Sequence, residues 1–307
     1  MDRAYDVIII GGGPAGLSAG LYAARARLST LLIEKGIFGG QIANAERVEN
    51  YPGFPDGISG FELGQLMHQQ ATKYGLKTVA AEVTAIELVE KGKVVKTTQG
   101  DYQAKAVILA TGAEPNRLGV PGEERLLGRG VSYCATCDGP LFRDQVVAVI
   151  GGGDSAVEEG LLLTRFASKV ILIHRRDQLR ATKLLQQRAF ANRKMEFLWD
   201  TVVEEILGDD KVKGLSLRNV KTGERSTLEV SGAFIYVGLH PNTEFLSGLL
   251  SLDAQGHIVT NGEMKTEIPG IFAAGDIRQN SPRQVITAAA DGATAALAAE
   301  KFLSEQK

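Results

Sequence analysis

The sequence predicts an α/β protein of two domains of one kind, the second inserted into the first, and three observations carry that reading. A β-branched run, a glycine-rich turn and an Ala/Leu-rich stretch open the chain. The same series recurs 140 positions later. A further apolar strand close to the C-terminus, followed by an Ala-rich segment, has no glycine turn of its own and is placed back in the first domain.

The first copy starts with Tyr5-Asp6-Val7-Ile8-Ile9-Ile10, a buried strand by its composition. It stops at Gly11-Gly12-Gly13-Pro14-Ala15-Gly16 and continues as a helix over residues 17–26. A second strand, Leu31-Leu32-Ile33, ends in Glu34. Gly11, Gly13 and Gly16 have the G-x-G-x-x-G spacing, and Glu34 follows the third glycine by 18 residues. In a dinucleotide-binding turn the first glycine permits the tight bend, the second lets backbone approach a pyrophosphate, and the third lets the helix pack on the strand. The phosphates then rest on the positive end of the helix, and the acid takes the adenosine ribose hydroxyls.

One such turn is weak evidence, but the whole pattern repeats. Val146-Val147-Ala148-Val149-Ile150 leads into Gly151-Gly152-Gly153-Asp154-Ser155-Ala156, a helical stretch, and Val170-Ile171-Leu172-Ile173. Gly11 maps to Gly151, Gly13 to Gly153 and Gly16 to Ala156, and the strand that ended in Glu34 now ends in His174. Two bound dinucleotides are expected. At the second strand end, His174-Arg175-Arg176 with Arg180 four residues on sets guanidinium forks where the 2′-phosphate of NADP would lie. Taken alone those residues also suit a solvated basic helix start; the homologous position favours NADP.

Two further segments echo each other. Val107-Ile108-Leu109-Ala110-Thr111-Gly112-Ala113-Glu114-Pro115-Asn116 and Phe234-Ile235-Tyr236-Val237-Gly238-Leu239-His240-Pro241-Asn242 share an apolar strand followed by G-x-x-P-N. Each is expected to deliver backbone to its cofactor and then cross out of its domain. Gly270-Ile271-Phe272-Ala273-Ala274-Gly275-Asp276 is the strand returned to the first domain, and residues 285–302 its closing helix.

Composition bounds the partners. The chain has 307 residues with 34 Lys+Arg against 36 Asp+Glu, a net charge of −2, which argues against a nucleic-acid binder. Residues 7–24 are uncharged, but five glycines and a proline interrupt them and no basic segment leads them, so neither a membrane span nor a signal peptide is expected. A cytoplasmic location is the expectation. The 36 glycines cluster at 11–13, 39–40 and 151–153, as expected where a ligand approaches backbone closely.

The two cysteines form Cys134-Ala135-Thr136-Cys137, followed by Asp138. The spacing suits half a zinc site or a redox pair, since both need two sulfurs within reach. His68, His174, His240 and His257 show no paired spacing and there is no further Cys, so no metal site is expected. A structural disulfide is uncommon in a cytosolic chain. What remains is a dithiol that cycles, with Asp138 as a candidate proton donor or acceptor.

Over essentially its whole length the chain resembles the low-molecular-weight, bacterial-type thioredoxin reductases, class II of the pyridine nucleotide-disulfide oxidoreductases. The segments that carry the resemblance are the two glycine turns, Gly39-Gly40-Gln41, Val48-Glu49-Asn50-Tyr51-Pro52-Gly53, Ala110-Thr111-Gly112, Cys134-Ala135-Thr136-Cys137-Asp138-Gly139, His174-Arg175-Arg176-Asp177, and Gly275-Asp276 with Arg283-Gln284-Val285. The resemblance implies an α/β fold of two Rossmann-like dinucleotide-binding domains of the three-layer ββα type. The FAD domain would comprise residues 1–117 and 246–307, and the NADPH domain with the redox pair residues 118–245. It implies FAD against Gly11, Gly12, Gly13, Pro14, Ala15, Gly16, Glu34, Lys35, Gly40, Gln41, Asn50, Val83, Ala110, Thr111, Gly112, Gly275, Asp276, Arg283, Gln284 and Val285. NADPH would lie against Gly151, Gly153, Asp154, Ser155, Ala156, His174, Arg175, Arg176, Arg180 and Gly238.

The implied activity is an NADPH-dependent thioredoxin-disulfide reductase, with electrons passing from NADPH to FAD, to a Cys134–Cys137 disulfide and out to thioredoxin or a thioredoxin-like protein. Family members turn the small domain between steps, which here implies hinges near 116–119 and 242–246. Arg129 matches a family position near the thioredoxin surface, and a homodimer is implied. Alternatives are a ferredoxin-fed reductase, which would not need His174 and the arginines, a reductase serving a peroxidase, whose extra N-terminal redox domain is missing here, and a non-catalytic redox sensor.

Overall fold

A computed structural model describes residues 3–45, 47–246 and 248–306. The chain divides into two compact units, residues 1–114 with 240–307 and residues 115–239. The boundaries expected from sequence, 117/118 and 245/246, fall three and six residues later. Both glycine turns lie at the carboxyl ends of parallel strands, one in each unit.

The first unit opens with β1 (Ala4–Ile10), α1 (Pro14–Arg25) and β2 (Thr30–Glu34). Then come α2 (Gly60–Lys73), β3 (Lys77–Ala80), β4 (Val83–Val89), β5 (Gly92–Thr97), β6 (Tyr102–Leu109) and β7 (Ala113–Pro115). After the second unit the chain returns with β17 (Ile271–Ala273) and α6 (Val285–Ser304). β3, β2, β1, β6 and β17 run parallel side by side, and the antiparallel pair β5 and β4 extends from the start of β6. β1 from Val7 and β6 from Ala106 read as continuous apolar runs because both faces of a parallel sheet are covered there. Alternate side chains supply the two faces. Val7, Ile9, Leu32, Ile108 and Phe272 pack with α1 and α6, while Ile8, Ile10, Leu31, Ile33, Val107 and Leu109 pack with Ile86 of β4 and Val95 of β5. The result is helices, parallel sheet and antiparallel strands in three layers.

α1 and α6 meet through small residues. A Cβ on Gly292 would fall 1.9 Å from Ala15 O, so only glycine allows α6 to approach the first turn of α1. The half-buried Arg278 and the buried Asp291 pair by two contacts, Nε to Oδ2 at 2.6 Å and Nη2 to Oδ1 at 2.9 Å, and Asp291 Oδ2 also accepts the Gly275 N–H at 3.1 Å. That pair pins the turn after β17 onto α6.

The second unit repeats the plan with β8 (Val131–Ser132), α3 (Ala135–Asp138), β9 (Val146–Gly151), α4 (Asp154–Leu163), β10 (Lys169–Ile173) and α5 (Lys183–Ala191). It continues with β11 (Met195–Leu198), β12 (Thr201–Leu207), β13 (Gly214–Asn219), β14 (Arg225–Glu229) and β15 (Gly232–Tyr236), and β16 (Leu239–Pro241) spans the exit. The parallel sheet has the order β11-β10-β9-β15-β8. Val147, Val149, Val170, Leu172 and Phe234 face α4 and α5; Ala148, Ile150, Ile171, Ile173 and Ile235 face the antiparallel β12, β13 and β14. Among the described residues no helix is long and apolar enough to cross a membrane.

Candidate active site

The first glycine turn is shaped by contacts that leave its centre open. A Cβ on Gly11 would lie 2.4 Å from Ala110 O, and one on Gly16 would lie 1.8 Å from Gly11 O. Gly13 differs. Its backbone is extended at φ −76°, which any residue adopts, and the nearest atom to its missing Cβ is 4.0 Å away on Gly40. Nothing in the protein itself demands glycine there. Gly13 is the N-cap of α1, with no capping side chain and Pro14 in the first turn, so the helix presents uncapped amides beside that open space. Glu34 at the end of β2 accepts Gly12 N–H at 2.5 Å and Gly36 N–H at 2.7 Å, which fixes its carboxylate at the rim.

Several other residues expected around this turn meet it or bond to one another. Gly39 donates its N–H to Gly12 O at 2.9 Å, bringing Gly40 and Gln41 alongside. A Cβ on Gly275 would lie 3.0 Å from Ala15 Cβ, so the end of β17 reaches the same helix start. Thr111 Oγ1 donates to Asn242 O, and Asn242 Nδ2 donates back to Thr111 O, each at 2.8 Å. Asn50 Nδ2 donates to Gln284 Oε1 at 3.2 Å, joining two more expected residues at the start of α6. Asp276 accepts from Ser281 at 2.7 Å, and burial raises its pKa against that bond. Ser281 Oγ also accepts the Arg283 N–H at 3.2 Å. Lys35 is exposed and Val83 half-buried at the start of β4.

The second turn shows the same opening. A Cβ on Gly151 would strike Tyr236 O at 2.4 Å, whereas Gly153, the N-cap of α4 at φ −91°, has nothing within 4 Å of its missing Cβ and no capping side chain. Ala156 is buried where the first turn has Gly16. Arg180 N–H donates to Gly152 O at 2.7 Å, and Asp154 Oδ1 accepts the Thr182 N–H at 2.6 Å, so the loop after β10 is hung on the glycine turn. Ser155 is exposed beside it, and Gly238 accepts the Asn116 N–H at 3.0 Å.

Arg175, Arg176 and Arg180 are exposed, and none of them has an ion pair among the described residues. His174 does not stand with them. Its ring is buried against Gly152, with Nε2 unpartnered, and burial together with the three guanidinium charges lowers its pKa, so it is a neutral wall of the turn. A carboxylate at one strand end and three free guanidiniums at the other make the turns chemically distinct.

In the same unit Cys134 and Cys137 form a disulfide across α3. Cys134 is half-buried and Cys137 exposed. Cys134 Sγ accepts the Cys137 N–H at 3.2 Å. Three residues that spacing did not reveal hold this turn. Ser132 Oγ accepts the Cys134 N–H at 3.0 Å and donates to Asp138 Oδ2 at 2.6 Å. Tyr236 at the end of β15 accepts the buried Ala135 N–H at 2.6 Å, with Glu159 of α4 3.5 Å away. Burial and the Glu159 charge keep the Tyr236 phenol protonated. Burial also raises the Asp138 pKa, opposed by the Ser132 bond, so Asp138 holds a proton to higher pH than an ordinary carboxyl. Tyr236 and Glu159 lie in segments that mark the fold; what they touch depends on contacts far apart in sequence.

Two uncapped glycine turns on parallel sheets and a disulfide with a half-buried carboxyl beside it define a dinucleotide-binding disulfide oxidoreductase. Over residues 5–292 the chain matches the family described as pyridine nucleotide-disulphide oxidoreductase, and it belongs to that family, among the low-molecular-weight thioredoxin reductases. It is 50% identical over 305 residues to a protein of Bacillus subtilis (strain 168) named thioredoxin reductase, covering 99% of this chain and 96% of that one. A thioredoxin reductase of Listeria monocytogenes is 50% identical over 307 residues, covering 100% and 96%. The crystal structure of thioredoxin reductase from Streptococcus pyogenes MGAS5005 superposes with a TM-score of 0.95 at 51% identity, covering 99% of this chain and 100% of that one.

Proposed function

We propose that the chain is an NADPH-dependent, FAD-containing thioredoxin-disulfide reductase. The observation that carries this reading is the placement, in one unit, of a disulfide with Cys137 exposed and a glycine turn flanked by three arginines that have no ion pair among the described residues. FAD fits the first turn, where Gly13 leaves space that the protein does not use and Glu34 stands at the ribose position. NADPH fits the second, where Gly153 leaves the same space and Arg175, Arg176 and Arg180 offer forks to a 2′-phosphate. Bound flavin supplies the two-electron chemistry that links a nicotinamide to a disulfide.

The chain's own residues complete the transfer. Two electrons and two protons convert the Cys134–Cys137 disulfide to a dithiol. The exposed Cys137 is placed to attack an external disulfide as its thiolate, forming a mixed disulfide and expelling one partner sulfur. Asp138, next in sequence and holding its proton to higher pH than an ordinary carboxyl because burial raises its pKa, is the proton donor to the leaving sulfur. Cys134 then passes its proton to the Asp138 carboxylate and attacks Cys137 Sγ; the second partner sulfur leaves and takes up the proton that Cys137 released on forming its thiolate, so the partner departs as a dithiol and the disulfide is restored. Ser132 and Tyr236 keep the turn in place while the S–S bond opens. A thioredoxin in the cytoplasm fits as partner, since a cycling dithiol works in a reducing compartment. The homodimer implied by the resemblance belongs to the same proposal.

The test compares NADPH oxidation in the presence of thioredoxin disulfide with oxidation in the presence of a peroxidase disulfide. Turnover with thioredoxin supports the reading. Turnover with the peroxidase alone would move the chain to a peroxidase system, and no oxidation of NADPH with either would favour a ferredoxin donor.

A further inference from the structure

Two carboxylates that oppose anion binding, Asp177 on the loop of Arg175 and Arg176 and Asp200 in the turn between β11 and β12, lie beside that loop. Asp177 follows Arg176 directly, and Asp200 donates its backbone N–H to Arg176 O at 3.2 Å. A carboxylate in that position either pairs with a neighbouring guanidinium or repels a phosphate. Neither arginine has an ion pair among the described residues. Both acids are instead engaged by one residue, Lys221, whose Nζ lies 3.2 Å from Asp177 Oδ2 and 3.0 Å from Asp200 Oδ2.

Lys221 reaches them from the turn that joins β13 to β14, and that turn is built to hold it. Asn219 Oδ1 accepts the N–H groups of Lys221 and Thr222 at 2.9 and 3.0 Å, and Gly223 N–H closes on Asn219 O at 2.9 Å. Val220 N–H then donates to Asp200 O at 2.6 Å, so the hairpin tip is fastened to the arginine loop by backbone as well as by charge. Lys221 is 44 residues from Asp177, and no sequence motif joins them.

We propose that Lys221 is a specificity-determining residue of the nucleotide site, acting by position: it engages Asp177 and Asp200 and so leaves Arg175 and Arg176 free for the 2′-phosphate of NADP(H). The proposal rests on the reading of that loop as the 2′-phosphate subsite. Without Lys221 the two carboxylates turn to the arginines or stand bare beside the incoming phosphate, and the preference for a 2′-phosphorylated nucleotide falls.

Titration calorimetry of the full-length protein with 2′,5′-ADP and with 5′-AMP at low salt tests this. Wild type should bind 2′,5′-ADP more tightly. Lys221→Met should weaken 2′,5′-ADP about three-fold, the scale of exposed ion pairs, and leave 5′-AMP unchanged. Lys221→Arg should keep the preference, and adding Asp177→Asn to Lys221→Met should restore much of it, which a purely structural role for the lysine would not allow. An unchanged ratio in Lys221→Met, or no recovery in the double variant, overturns the proposal. A wild type with no preference overturns the 2′-phosphate reading beneath it, a distinct result seen before any variant is made.

Discussion

The Ser132 hydroxyl donates to Asp138 Oδ2 at 2.6 Å while accepting the Cys134 N–H at 3.0 Å, so one small side chain ties the half-buried carboxyl to the redox turn. Burial raises the Asp138 pKa and the Ser132 bond lowers it. Ser132→Ala removes a bond that favours the charged form, so the pKa rises further. An Asp138 acting as an acid loses activity as pH climbs through its pKa; in Ser132→Ala that limb of the turnover profile moves to higher pH. Turnover of thioredoxin disulfide against pH checks the sign.

Asp138 itself carries a cost in stability. Its folded pKa lies above the unfolded value near 3.8, so the folded state holds the extra proton between the two, and stability falls as pH rises across that window. Asp138→Asn removes the penalty. Denaturation by urea should show the variant more stable at pH 7 than wild type, with the gap closing below pH 4, while turnover drops about a hundred-fold for loss of the acid.

The glycines of the two turns separate by role. Gly13→Ala and Gly153→Ala put a methyl group where no protein atom comes closer than 4.0 Å, at backbone angles alanine accepts. Stability should stay within about 1 kcal/mol of wild type, while flavin content falls in the first variant and 2′,5′-ADP affinity in the second. Gly16→Ala drives its methyl against Gly11 O and should cost about 3 kcal/mol. Urea midpoints and flavin absorbance measure both effects.

Asp291→Ala leaves the half-buried Arg278 guanidinium without its carboxylate and frees the Gly275 N–H. The loss should be about 3 kcal/mol, and Asp291→Asn, which keeps a hydrogen-bonding oxygen, should lose less. Because Gly275 sits against Ala15, flavin should also dissociate more readily from Asp291→Ala, as dialysis against chelated buffer and absorbance would show.

Much of the scaffold is legible in sequence because buried parallel strands are apolar on both faces. Ile8, Val107, Val149 and Leu172 announce their strands without reference to any partner. The first helix begins at Pro14 rather than at residue 17, since proline suits a first helical position although its neighbours are not yet apolar. β6 begins at Tyr102, five residues before the apolar run, because its first part pairs antiparallel with β5. Polar alternation hides such edges. The glycine spacing and the C-x-x-C announced themselves by pattern, whereas Ser132, Tyr236, Lys221 and the Arg278–Asp291 pair act through contacts that the pattern does not encode. The packing of the His174 ring beneath Gly152 is a contact of the same kind, which the basic strand end does not encode.

The central claim is that electrons from NADPH leave the protein through Cys134 and Cys137. Steady-state NADPH oxidation with thioredoxin disulfide, measured for wild type and Cys137→Ser, tests it most directly. Oxidation that needs thioredoxin and vanishes in Cys137→Ser, with flavin still bleached by NADPH, is the predicted result; Cys137→Ser reducing thioredoxin at the wild-type rate would contradict it.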